Sequence, residues 1–152
     1  MATTILRPAD GTAMEQIGRM IAGQLRPGDV VMLEGGLGAG KTTLARGILR
    51  GLGFIGEAPS PTFAIVQGYE PPETRLPLAH VDLYRLEDAG EVEELGLDDW
   101  LDGGALVIEW PDRLAGLYAD IALVIHIAVD ADGARTLTVD VPGAWTERWS
   151  QT

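Results

Sequence analysis

Apolar side chains recur along this chain with two alternating periods, and the switches between them mark out its elements. Met14, Ile17, Ile21 and Leu25 return every three or four positions, which predicts a helix from about Thr12 to Leu25. Thr12 and Glu15 have capping-box spacing at its start, and Pro27-Gly28 stops it. Val30-Val31-Met32-Leu33 is an unbroken apolar run of strand length. Leu44, Ile48 and Leu52 restore the helical period over Thr42 to Leu52, closed by Gly51-Leu52-Gly53. The prolines of Ala58-Pro59-Ser60-Pro61-Thr62 exclude a helix, and a strand is expected from Phe63 to about Tyr69, before the turn Glu70-Pro71-Pro72. Leu78 to Leu83 and Ala105 to Glu109 read as further strands, with one or two short helices in the acidic stretch between them. Pro111 opens a short helical turn. Ala122 to Val129 and Thr136 to Val141 form a hairpin across Asp130-Ala131-Asp132-Gly133.

Strands separated by helices imply an α/β protein, three layers deep, with its ligand at the carboxyl ends of the strands. The late hairpin makes the sheet mixed, though mostly parallel. A single domain over 1–141 is expected, followed by a tail over 142–152 in which Trp145 and Trp149 share a helical face. At 152 residues and 46% hydrophobic, the chain can bury a core of its own.

Composition narrows the setting. No apolar run reaches membrane-spanning length, and MATTILRPAD lacks the basic-then-apolar pattern of a signal peptide. With no cysteine, disulfides and thiolate metal sites are excluded, and a cytoplasmic protein without membrane association is expected. The formal charge of −12 opposes direct, tight binding of nucleic acid, which depends on basic surface. Eight acidic residues and no basic one lie between Glu87 and Asp102, either as a solvated helix face or as a surface for a basic partner.

The chemistry gathers at the one lysine. Ten of the eleven basic residues are arginine, and the exception, Lys41, sits in GGLGAGKT, residues 35–42. This G-x-x-x-x-G-K-[ST] loop between an apolar strand and a helix makes the fold that of a P-loop NTPase. Gly35, Gly38, Ala39, Gly40, Lys41, Thr42 and Thr43 are the candidate nucleotide-binding residues. Backbone amides from Gly38 to Thr43 would cradle phosphates, the compact Lys41 ammonium would bridge the outer two, and the Thr42 hydroxyl would bind Mg²⁺. Such a site also needs a strand-end carboxylate for the metal or the attacking water. Glu109, after Ala105-Leu106-Val107-Ile108, and Asp82, after Leu78-Ala79-His80-Val81, are the candidates; either could instead cap a turn. His80 could orient Asp82 or simply pack in the core. His126 reads as structural, and Arg46 and Arg50 as solvated. Trp110 could stack on adenine, meet a partner, or pack. The chain has no asparagine and no second lysine, so the Asn-Lys-x-Asp route to guanine is closed, which favours ATP.

GGLGAGKTTLARG, Ser60-Pro61-Thr62-Phe63, His80-Val81-Asp82-Leu83-Tyr84-Arg85-Leu86, Glu94-Leu95-Gly96-Leu97 and Ile108-Glu109-Trp110 follow one another in an order and spacing that resemble the TsaE family. The resemblance spans roughly residues 10 to 128. It implies a bacterial ATPase, weak alone, needed for threonylcarbamoyladenosine formation next to the anticodon of tRNA. Such an ATPase acts on a complex of TsaD and TsaB rather than on the tRNA, and drives a conformational or reset step between turnovers. On the same resemblance Thr42 and Glu109 match Mg²⁺ positions, Asp82 matches a catalytically needed acid, and Ser60 to Thr62 match a mobile loop near the γ-phosphate. Two positions depart from the family pattern: Gly36 stands where an aspartate is usual, and Pro59 where a basic residue usually precedes the Ser-Pro-Thr segment. Two other readings share the loop and the fold, a small-molecule or nucleoside kinase and a nucleotide-sensing adaptor with little turnover.

Overall fold

A computed structural model describes residues 2–149. In chain order the elements are β1 (Ala2–Leu6), α1 (Gly11–Gln24), β2 (Val30–Gly35), α2 (Lys41–Gly51), β3 (Val66–Tyr69), β4 (Leu78–Asp82), α3 (Ala89–Glu93), α4 (Leu97–Leu101), β5 (Ala105–Glu109), β6 (Leu123–Val129) and β7 (Arg135–Val141). Single 3₁₀ turns follow β5 (Pro111–Leu114) and β7 (Gly143–Trp145). Met1 and residues 150–152, the ends of the expected domain and tail, lie outside the described residues.

The strands make one mixed sheet in the order β1-β7-β6-β2-β5-β4-β3. The four inner strands β6, β2, β5 and β4 run parallel, while β7, β1 and β3 pair antiparallel outside them. Because side chains alternate along a strand, each inner strand feeds two cores. Val31, Leu33, Val107, Leu123 and Ile125 pack under α1 and α2, whereas Val30, Met32, Val81, Leu106 and Ile108 pack under the α3–α4 side. The sheet is thereby the middle of three layers, as the alternation of strands and helices implies.

Helix α1 lies against α2 at unusually short range. A Cβ on Gly47 would stand 2.3 Å from Glu15 O, and one on Gly18 would stand 2.5 Å from Leu44 O. Only hydrogen fits at these crossings, so the two helices pack almost backbone to backbone. The segment after β7 packs on the same layer. Trp145 is fully buried there, and Arg148 stacks 4.1 Å over its ring while gripping Asp29 with two nitrogens at 2.6 Å each.

Several local expectations change. Asp10, not Thr12, caps α1, its carboxylate accepting from Ala13 N–H at 2.8 Å. Residues 61–64 form turns, so β3 begins at Val66 rather than Phe63. The short strand β1 has no sequence signal of its own; only pairing with β7 gives Ala2–Leu6 a defined conformation. Arg46 and Arg50 are half-buried and only partly solvated. The chain after α2 folds back over them, so Arg46 Nε donates to Ala58 O at 2.8 Å and Arg50 Nη1 to Phe54 O at 3.3 Å.

Candidate functional site

The strand-to-helix turn between β2 and α2 is made of residues whose backbones must bend where side chains would obstruct. Gly40 takes φ 115°, a conformation strained for any residue bearing a Cβ, and hands the chain directly to Lys41, the first residue of α2. The first-turn N–H groups of α2 have no intrahelical partner and point, with the positive end of the helix dipole, back toward the loop. This end faces a cavity of about 760 Å³ lined by the loop from Leu37 to Thr43 and by Ser60, Thr62, Asp82, Glu109 and Trp110. The segment from Arg7 to Gly11 and, from the β6–β7 hairpin, Asp130 and Gly133 to Thr136 complete its lining.

Parallel pairing brings the two acids together. Asp82 and Glu109 end adjacent strands in matched register, and Glu109 also lies opposite Leu33 of β2. Both carboxylates are buried, Glu109 at 2% exposure. Thr42 Oγ1 donates to Glu109, 3.2 Å from Oε2 and 3.3 Å from Oε1. His80 Nε2 lies 2.6 Å from Oε2 of the same carboxylate, while its Nδ1 is buried without a hydrogen-bond partner. That pattern fits a proton on Nε2 and a lone pair on Nδ1, since a buried N–H without an acceptor costs more than a vacant lone pair. His80 therefore positions Glu109 and not Asp82. Two-residue spacing does place His80 on the face of Asp82, but its ring reaches diagonally to the neighbouring strand.

Asp82 has a divided task. Oδ1 accepts from Tyr84 N–H at 2.9 Å, which caps the turn leaving β4. Oδ2 accepts from Thr62 Oγ1 at 3.2 Å, and Thr62 in turn meets Ser60 Oγ at 2.9 Å. One carboxylate thus tethers the Ser-Pro-Thr segment to the strand end. Lys41 reaches into the loop it belongs to, donating to Gly35 O at 2.7 Å and Gly36 O at 2.8 Å. Burial pushes its ammonium below the ordinary lysine value, while Glu109 and Asp82 partly restore it. Trp110 stands with its ring centroid 3.9 Å from Lys41 Nζ and 4.8 Å from the Tyr84 ring, at the lysine end of the cavity. Its backbone is left-handed at φ 57°, a strained state for a bulky residue, and its N–H is held by Leu33 O at 3.3 Å.

The donor set suits phosphate with a small hard cation. The helix start and Lys41 favour an anion, and no other lysine competes for it. Among the described residues, no group of three or more His, Asp or Glu is arranged to hold a metal alone. Mg²⁺ commonly takes one or two protein oxygens and completes its shell from phosphate and water. Thr42 and Glu109, converging to hydrogen-bond distance at the loop, are two oxygen donors that could serve as such a pair. Gly36 has open space where a side chain would begin, so nothing steric demands glycine there. His126 lies apart from the cavity, its Nδ1 2.6 Å from Glu34 and its Nε2 3.0 Å from Asp140. Both partners belong to neighbouring strands, which is why sequence proximity did not reveal them.

Comparison with known proteins agrees on one family. Residues 9–137 match the model of the family described as Threonylcarbamoyl adenosine biosynthesis protein TsaE. The chain is 42% identical over 145 residues to a Streptomyces coelicolor protein named tRNA threonylcarbamoyladenosine biosynthesis protein TsaE, covering 84% of this chain and 97% of that one. A Bacillus subtilis protein of the same name is 41% identical over 128 residues, covering 84% and 78%. The crystal structure of Bacillus subtilis YdiB superposes with a TM-score of 0.79 at 31% identity, covering 96% of this chain and 90% of that one.

Proposed function

The chain belongs to the TsaE family, and from that premise we propose that it is a Mg²⁺-dependent ATPase serving threonylcarbamoyladenosine formation on tRNA. The carrying observation is the convergence of Lys41, Thr42, Glu109 and Asp82 at one end of the cavity. Amides of the glycine loop and the Lys41 ammonium bind the β- and γ-phosphates. To do so Lys41 leaves its two loop carbonyls, exchanging them for phosphate oxygens of greater charge. Thr42 and Glu109 would hold Mg²⁺, which would supply neutralisation of the charge on the outer phosphates. His80 keeps Glu109 turned toward Thr42. Asp82, sharing the strand-end level with Glu109, orients the attacking water, and its bond to Thr62 holds the Ser-Pro-Thr segment beside the reacting phosphate.

Turnover is slow alone and rises with a complex of TsaD and TsaB, the family's expected partners. Net acidity supports an indirect relation to tRNA, since a chain of charge −12 gains little from a polyanion. The acidic stretch forms α3 and α4, which pack beside the sheet and bring no arginine lid over the site, so a kinase reading gains nothing from the structure. The test is ATP hydrolysis by the purified protein with and without TsaD–TsaB. Fast turnover that ignores the complex would remove this reading.

A further inference from the structure

Arg135 opens β7 directly beside the glycine loop, although 97 positions separate it from Gly38. Its Nε donates to Ala39 O at 2.8 Å and its Nη2 to Gly38 O at 3.1 Å. Its Nη1 donates to Gly133 O at 3.3 Å, within its own hairpin. One planar fork, braced by the hairpin it springs from, thus holds two consecutive loop carbonyls.

Peptide planarity gives this contact a consequence on the other side of the chain. The C=O and N–H of one trans peptide point in opposite directions. Fixing Gly38 O therefore fixes the N–H of Ala39, and fixing Ala39 O fixes the N–H of Gly40. The first of these is visible, because Ala39 N–H points across the loop to Gly36 O at 3.2 Å. Gly38 and Gly40 both have positive φ, 76° and 115°, and glycine explores such regions freely when nothing restrains it. An unrestrained loop would have to order itself each time an anion bound, at a cost in affinity.

We infer that Arg135 is a positioning residue for the triphosphate: held between the hairpin and the loop, it fixes the Ala39 peptide against Gly36 O and turns the Gly40 amide inward before the anion arrives. The inference rests on the ATP-binding reading. It differs from a direct role for the guanidinium's charge, because it requires the fork. Lysine carries the same charge on a flexible stem and lacks the rigid pair of donors that spans neighbouring carbonyls.

The experiment compares wild type, Arg135→Lys and Arg135→Met by calorimetric titration with ATP and with inorganic tripolyphosphate. Amide hydrogen exchange over residues 36–43 is measured without ligand, and thermal unfolding checks that each variant is folded. Both variants should weaken both ligands by a common factor of about tenfold, and should speed exchange at Ala39 and Gly40 while leaving β2 and β5 unchanged. Full rescue by Arg135→Lys would overturn the inference in favour of charge. Loss confined to ATP would overturn it in favour of a base or ribose contact. Unchanged affinity for both ligands would remove any role. Wild-type protein that binds neither ligand would instead sink the ATP reading. Exchange at Ala39 and Gly40 would then decide the positioning claim, faster exchange in both variants supporting it and unchanged exchange overturning it.

Discussion

Replacing Gly47 by alanine is a small change that should cost this protein much of its stability. In an ordinary helix interior the same change is favourable by up to about 1 kcal/mol, because glycine is the poorer helix former. Here the new Cβ would lie 2.3 Å from Glu15 O, 2.8 Å from Glu15 Cα and 2.9 Å from Glu15 C. Ordinary contact begins near 3.4 Å, so α1 and α2 must part by about 1 Å, and no rotamer change relieves a clash with backbone. Overpacking of this kind costs typically about 1–3 kcal/mol, and the absence of a soft neighbour places it at the upper end. The clash wins over propensity, leaving a net loss of about 2 kcal/mol. For a domain of this size that lowers the melting temperature by about 4–8 °C. Gly23→Ala is the control, since Gly23 is exposed in α1 with nothing within 4 Å of a Cβ, and it should gain up to about 1 kcal/mol. Urea denaturation of both variants measures the difference. Gly47→Ala as stable as wild type would refute the close-packed α1–α2 contact.

Other predictions concern the site and the last segment. Glu109→Gln and Asp82→Asn should keep nucleotide binding, measured by titration, while losing at least about tenfold in partner-stimulated hydrolysis, because charge placed for the transition state is removed. Lys41→Met should abolish triphosphate binding and also change the pH dependence of the nucleotide-free protein. Burial lowers the folded-state pKa of Lys41, so between that value and the ordinary lysine value the unfolded chain binds more protons. Stability from this group therefore rises as pH rises through that window, and denaturation curves of Lys41→Met should lack that rise. Arg148→Ala leaves buried Asp29 with only the Arg26 N–H, at 2.6 Å, in place of its ion pair. Denaturation should show a loss of about 3 kcal/mol, and an unchanged midpoint would mean that the Arg148–Asp29 ion pair contributes nothing.

Features built from residues close in sequence were legible, and those built across strands were not. Gly35 to Thr42 declares itself because loop, lysine and hydroxyl are contiguous, and the runs before Asp82 and Glu109 announce strands that end in acids. That these two strands are neighbours in matched register depends on the order of the sheet, which no local pattern states. His80 illustrates the limit: alternation fixed its face, but its partner lies 29 positions away on another strand. Arg135 carried no signal at all, since its contacts exist only once the hairpin closes over the loop. Arg46 and Arg50 misled because helical spacing describes the helix alone, and the chain from Phe54 to Ala58 supplies the carbonyls that cover them. At α1 two capping residues competed, and Asp10 won by reaching the N–H three positions on.

On the proposed function, the loop from Gly35 to Thr43 and the paired acids Glu109 and Asp82 form one ATP-hydrolysing site that a partner complex activates. The most direct test is ATP turnover by wild type, Glu109→Gln and Lys41→Ala, each alone and with the TsaD–TsaB complex. Slow turnover by wild type alone, a clear rise with the complex, and no rise in either variant are the predicted result. Hydrolysis by Glu109→Gln that rises as it does in wild type would contradict it.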